Sequence, residues 1–287
     1  KACERRQLVK RRAQAIGAPI AYVNLVGGQD ELVFDGGSLA VDSVGNAVVQ
    51  APQFEAGLYP AVFKRSSSGR YEPACVSCAT QPSDLAQVYK ALTIGVRDYV
   101  TKNGFKGVVL GLSGGIDSAL TLAIAVDALG ANAVHAVMMP FEYTSQLSRD
   151  AAAEQAATLG VAYRSISIKS IYDQFVGALA SEFEGLAEDV TEQNLQARCR
   201  GVLLMAISNK KGYLVLTTGN KSEIAVGYST LYGDMAGGFD VLKDVSKTLV
   251  YELSTYRNEL GGTSESGAFE AIPQRVIDRP PSAELAP

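Results

Sequence analysis

Over the first fifty positions the apolar residues come in short runs. After residue 84 they settle into a longer alternation of helical and strand-like segments. Residues 1–17, with the basic run ERRQLVKRR, read as a helix that Gly17 ends. Runs at 21–26 and 31–34 are strand-like, and Gly27-Gly28-Gln29-Asp30 between them is the expected turn. Those at 38–42 and 47–50, joined by Ser43-Val44-Gly45-Asn46, predict a hairpin. Residues 64–82, rich in Ser, Pro, Gly and Arg, read as a linker. Ser83 or Asp84 then caps a helix running through Leu85, Val88, Leu92, Val96 and Tyr99. The almost wholly apolar stretch 107–112 predicts a strand buried on both faces of a parallel sheet. Helix 118–129, strand 133–139, helix 148–159, strand 162–168, helix 193–209 and strand 213–217 follow. This order predicts a doubly wound α/β sheet, preceded by an α+β segment.

Composition narrows the classes. A chain of 287 residues, 47% hydrophobic and 20% charged, suits two ordinary globular domains. The formal charge of −4 argues against a general nucleic-acid binder, and the basic run 4–12 reads as a solvated helix face. No apolar run approaches the ~18 residues of a membrane span, so a soluble cytoplasmic protein is expected. The start at Lys1 and the Pro-rich end at Pro287 suggest a piece of something longer. Four cysteines make no disulfide framework, and Cys75 and Cys78, with CxxC spacing, have no second pair. His135, the only histidine, falls in a predicted strand and reads as structural, so no Ser-His-Asp or Cys-His machinery is expected.

The chemistry concentrates at Gly111-Leu112-Ser113-Gly114-Gly115-Ile116-Asp117-Ser118. This segment joins a buried strand to a helix N-terminus, where free N–H groups and the helix dipole attract anions. Gly114 and Gly115 allow close backbone approach to a phosphate, and Ser113 and Ser118 add hydroxyls. A Walker A loop would place Lys before the Ser; here Asp117 stands there, which suggests Mg²⁺ as the source of positive charge. Such a loop suits pyrophosphate, and hence cleavage between the α and β phosphates of ATP. Further on, TTGNKSE follows strand 213–217 at the sheet edge where open α/β folds bind ligands. It offers Thr218 to the nucleotide and Glu223 as a partner of Asp117 at the metal. Asn194 and Arg198 lie one helical turn apart, with Arg198 suited to an anion. Asp234 sits in a loop-rich stretch, and Lys247 adds a cation.

The SGGIDS loop resembles the hallmark of the ATP pyrophosphatases, which include synthetases of NAD, GMP, asparagine and argininosuccinate; the loop alone does not choose among them. Tyr143-Thr144-Ser145, NLQAR at 194–198, TTGNKSE at 217–223, STLYGDMAGGF at 229–239 and Pro281–Leu285 extend the resemblance. Across 84–287 they resemble the synthetase half of glutamine-dependent NAD synthetases. Residues 1–63, especially Tyr22-Val23-Asn24 through Gly36, resemble the C-terminal part of a nitrilase-like glutaminase domain, with 64–83 between the two. The resemblance implies an ATP-dependent amidation of deamido-NAD through an adenylate, with ammonia drawn from glutamine. It assigns residues 111–118, Thr218 and Lys247 to ATP, with Ser282 as a further candidate. It gives Asp117 and Glu223 to Mg²⁺, and Asn194, Arg198, Glu223 and Asp234 to deamido-NAD. Asp117 and Lys247 are the expected catalytic groups. Leu231 departs from the family pattern, since short ammonia-dependent synthetases carry Lys near there. A glutaminase domain of this kind uses a Glu, a Lys and a nucleophilic Cys upstream of this stretch, so Cys3 is not its nucleophile. The resemblance also implies a homo-oligomer with a tunnel between its domains.

Overall fold

The computed structural model describes residues 2–261, 270–281 and 284. Contacts group the chain into two units, Lys1–Asp98 and Tyr99–Pro287. In the first, α1 (Ala2–Ile16) packs Val9 and Ala13 on Leu39 and Val41. Then come β1 (Ile20–Tyr22), β2 (Val26–Gln29), β3 (Leu32–Asp35), β4 (Leu39–Val41) and β5 (Ala47–Gln50). The β4–β5 hairpin forms as its sequence predicts. The expected strand at 21–26 is instead two strands, β1 paired with β4 and β2 paired with β3. Asn24 holds the break, its N–H donating to Ser38 Oγ at 2.9 Å and its Nδ2 to Asp35 Oδ1 at 2.8 Å.

Gly27 and Gly28 are not turn residues either; they are buried in β2, and the reversal falls at Asp30, with φ +52°. The reason is close approach. Gly28 N–H donates to Asp98 at 2.8 Å, and a Cβ there would meet the Asp98 Cβ at 3.2 Å. The stretch read as linker also carries strands. β6 (Phe63–Arg65) and β7 (Tyr71–Pro73) form a hairpin, and β8 (Ser77–Cys78) pairs parallel with β5. Strands of two or three residues are too short to show a hydrophobic period. Ser83 Oγ accepts from Ala86 N–H at 3.3 Å at the start of α2 (Asp84–Lys102), which ends in the second unit.

The second unit runs β9 (Val108–Gly111), α3 (Ile116–Leu129), β10 (Val134–Met138), α4 (Gln146–Thr158), β11 (Ala162–Ser165), α5 (Lys169–Ala178) and α6 (Val190–Lys211). It continues with β12 (Leu214–Thr217), α7 (Lys221–Ala225), β13 (Phe239–Asp240), α8 (Lys247–Glu259) and α9 (Gln274–Asp278). The strands are parallel in the order β11-β10-β9-β12-β13, as expected of an α/β sheet. Val109, Val137 and Val215 pack with Cys199 and Leu204 of α6. α3 covers β9 and β10 through fully buried side chains such as Leu120 and Ile124. α5 was not foreseen; it is a short helix that rests Ile171 and Tyr172 on the same core. His135 has a structural place, its ring stacked on Tyr213 at 4.3 Å.

Chain order reverses at β9, with β10 and β11 on one side and β12 and β13 on the other. In open α/β sheets such a reversal leaves a crevice at the carboxyl ends of the strands, here β9 and β12. Leu110, with no exposed surface in the central strand, tests this core. Leu110→Ala should lower unfolding free energy by about 2–5 kcal/mol, read as a reduced urea midpoint by circular dichroism.

Candidate active site

The residues after β9 form a preshaped loop. Ser113 and Ser118 hydroxyls lie 3.1 Å apart, Ser113 N–H donates to Ser118 Oγ at 3.2 Å, and Ser118 Oγ donates to the Gly115 carbonyl at 2.9 Å. Gly115 is the N-cap of α3 and supplies no side-chain cap, so the first turn keeps N–H groups for an anion. Gly114 has φ +82°, and a Cβ on it would collide with the Ser148 carbonyl of α4. Only glycine meets both demands. The helix begins at Ile116, earlier than expected, which puts Asp117 in its first turn.

Asp117 forms an ion pair with Lys247 at the start of α8, and Asn220 Nδ2 donates to its other oxygen at 2.9 Å. Asn220 is wholly buried and caps α7 reciprocally with Glu223. Glu223 lies 3.7 Å from Lys247. Burial and then the charge of Asp117 raise the Glu223 pKa, against hydrogen bonding at Asn220 and the Lys247 charge. Two carboxylates therefore share one ammonium beside an uncapped helix N-terminus. Among the described residues no group of three His, Cys, Asp or Glu is placed to hold a metal. Mg²⁺ needs no such cage, because it usually takes one or two carboxylates and the rest from waters and phosphates. The crowded pair Asp117 and Glu223 fits that donor set.

Two cavities meet here. One, of about 240 Å³, is lined by Val137, Met139, Leu204, Val215, Thr218 and Arg200 among others. The other, of about 400 Å³, is lined by the loop 113–117 with Glu223, Lys247 and Arg279. Ser113 and Glu284 border both. The first is mostly apolar, as suits a base, and the second has the glycine loop and cations that suit phosphate.

Thr218 lies in the wall of the first cavity. Asp234 borders the same cavity, and Asn194 and Arg198 of α6 converge with it on the loop after α7. Asn194 Oδ1 accepts from Thr230 Oγ1 at 2.8 Å, Arg198 Nε donates to the Leu231 carbonyl at 3.3 Å, and Asp234 accepts from Thr230 N–H at 2.7 Å. The Leu231 side chain is exposed. Ser282 lies outside the described residues.

The sequence reading missed Asn220, Arg200, Arg279, Ser145, Ser148 and Glu284 as site residues. Asn220 was legible as Asn-x-x-Glu, a capping box ahead of a helix. Glu284 carried no local signal, because its partners are distant in sequence. Its carboxylate accepts from Ser145 N–H at 3.1 Å, Ser145 Oγ at 2.7 Å, Ser148 Oγ at 2.9 Å and Arg279 at 2.6 Å.

Residues 88–287 match the NAD synthase family. The chain is 51% identical to the glutamine-dependent NAD(+) synthetase of Acinetobacter baylyi over 98% of its own length and 50% of that protein. The Rhodobacter capsulatus enzyme of that name is 50% identical, over 98% of this chain and 51% of the relative. A solved glutamine-dependent NAD+ synthetase from Acinetobacter baumannii, in complex with ADP, superposes with a TM-score of 0.89 at 52% identity, covering 98% of this chain and 52% of that one. The chain thus spans about half the length of the relatives it matches.

Burial raises the Glu284 pKa, but hydrogen bonds from Arg279, Ser145 and Ser148 outweigh it and the net shift is downward. Its contacts therefore stabilise the fold fully above the ordinary value of 4.5 and lose that effect as pH falls through the lowered folded value. Glu284→Gln should cost roughly 1–3 kcal/mol near neutrality. The melting difference from wild type should shrink to nothing on acidification below that range.

Proposed function

The chain belongs to the NAD synthase family, and from that premise we propose that it carries the site at which ATP adenylates deamido-NAD before ammonia completes NAD. The observation that carries this reading is the Asp117–Lys247–Glu223 cluster, set against the uncapped start of α3 in the wall of a polar cavity that adjoins a base-sized one at Ser113 and Glu284. The nicotinate carboxylate attacks the α-phosphorus, an O–P bond forms, and the bond to the bridging oxygen breaks as pyrophosphate leaves with the electron pair. Ammonia then bonds to the carbonyl carbon, the carbon–oxygen bond to AMP breaks, and the surplus proton passes to solvent.

The protein's share is positioning and charge. Gly111–Gly115 and the α3 N–H groups hold the departing pyrophosphate, with Ser113 and Ser118 fixing the loop. The Lys247 ammonium faces negative charge as it accumulates there. Asp117 and Glu223 would hold Mg²⁺, which when bound neutralises phosphate charge. Thr218 serves the nucleotide. Asn194 and Arg198 of α6, gathered against the loop that carries Asp234, serve the second substrate together with Asp234 and Glu223. Ammonia is already nucleophilic, so no histidine base is required.

Family likeness, rather than a feature of the site, supports the finer parts of this reading. Those are glutamine as the ammonia source, a nitrilase-like origin for residues 1–63, a cytoplasmic location and a homo-oligomer. Among the described residues no helix is long and apolar enough to cross a membrane.

Pyrophosphate–ATP exchange that depends on deamido-NAD tests the reaction. Asp117→Asn should cut it by about 10²–10³-fold while the melting curve still shows one folded state. Near wild-type exchange would remove Asp117 from the metal and phosphate site. Arg198→Lys should raise KM for deamido-NAD by roughly 10- to 150-fold, the worth of a hydrogen bond to a charged group, and leave that for ATP almost unchanged. If both KM values hold and only the melting temperature falls, Arg198 supports the Leu231 loop and does not touch substrate.

A further inference from the structure

Arg200 is a charged side chain in the wall of an apolar cavity, beside Met139, Leu204 and Val215. Burial lowers its pKa, so its surroundings oppose the charge. Its Nε donates to the Met139 carbonyl at 3.0 Å. Among the described residues no carboxylate pairs with it and its Nη groups meet no acceptor, yet they are not sealed from access. A guanidinium carries five N–H donors and keeps its charge in proteins. Leaving it half-buried against one neutral carbonyl is unfavourable, and a structural role would be met at lower cost by Leu or Met.

The neighbouring cations narrow the missing partner. Arg198, two positions earlier, is exposed and turned to Leu231, while Lys247 and Arg279 line the polar cavity. Arg200 borders the apolar one, where among the described residues phosphate has no other cation to meet it. A flat group carrying uncharged acceptors suits that space best.

We propose that Arg200 binds the nucleoside half of ATP, donating from its Nη groups to an acceptor on the purine ring or ribose. This rests on the reading of the site as an ATP site and adds to it the residue that reads the nucleoside. Direct binding of adenosine, ATP and inorganic pyrophosphate to this chain, by calorimetry or ligand-observed NMR, tests it. Arg200→Met should weaken adenosine and ATP by the same factor, about 10- to 150-fold, and leave pyrophosphate unchanged. Arg200→Lys keeps the charge and guards against a folding failure; it should lose less, and equally for both ligands. One among 7-deaza-, 3-deaza-, 1-deaza-, 2′-deoxy- and 3′-deoxy-ATP should bind the wild type worse than ATP does but the Met variant no worse, which marks the acceptor.

Weakened ATP and pyrophosphate with unchanged adenosine would move Arg200 to the phosphates and overturn the proposal. So would unchanged binding of all three ligands with a lowered melting temperature. Failure of the wild type to bind ATP is a different result, since it would overturn the ATP reading beneath the proposal.

Discussion

The ion pair between Asp117 and Lys247 joins the first turn of α3 to the first turn of α8 across 130 residues of chain. A second pair at the same separation joins Asp127 to Arg257, with bonds of 2.6 and 2.9 Å. The ten-residue interval is about 15 Å of helix, so the two helices run parallel and in register. Arg257 is almost fully buried, which makes its pair the stronger anchor. The pair at the other end is partly exposed and contributes less to stability. It holds a carboxylate and an ammonium at the uncapped end of α3, where an anionic ligand would arrive. Asn220 adds the third contact and brings Glu223 with it, so a capping box becomes the frame of a charged site.

The other wall is built from the start of α4. Its Ser148 carbonyl presses on Gly114, which fixes the left-handed loop, and its Ser145 and Ser148 hydroxyls hold Glu284. One helical turn therefore connects the loop 113–117 to the segment 279–281 and to Glu284, which border the polar cavity. Glu284 borders both cavities, so movement at that position alters the two together. Arg279 donates to Ser148 and to Glu284 at once.

The parallel sheet was legible because β9 is a continuous apolar run, β10 and β12 are apolar but for His135 and Thr217, and the turn after β9 has a phosphate-loop composition. The same reasoning failed for β2, whose buried glycines look like a turn until Asp98 is seen against them. It failed for β6 to β8, which are held by ladder pairing and carry almost no burial. In the site, Asp117, Glu223 and Lys247 were named from local motifs and resemblance, and they lie together. Asn194 and Arg198 of α6 gather with Asp234 against a different segment, the loop at 230–234, where Asp234 borders the first cavity and the ion pair borders the second. Arg200, Arg279 and Glu284 were illegible because their importance lies in long-range contacts, or in the lack of one.

The central claim is that a carboxylate attacks the α-phosphorus of ATP at this site. It is tested most directly by following the carboxylate oxygens, with [carboxyl-¹⁸O]deamido-NAD, ATP, Mg²⁺ and ammonia supplied to this chain. The account predicts one ¹⁸O in the AMP formed, the other retained in the amide of NAD, and none in pyrophosphate. Label found in inorganic phosphate, with ADP as the nucleotide product, would contradict it.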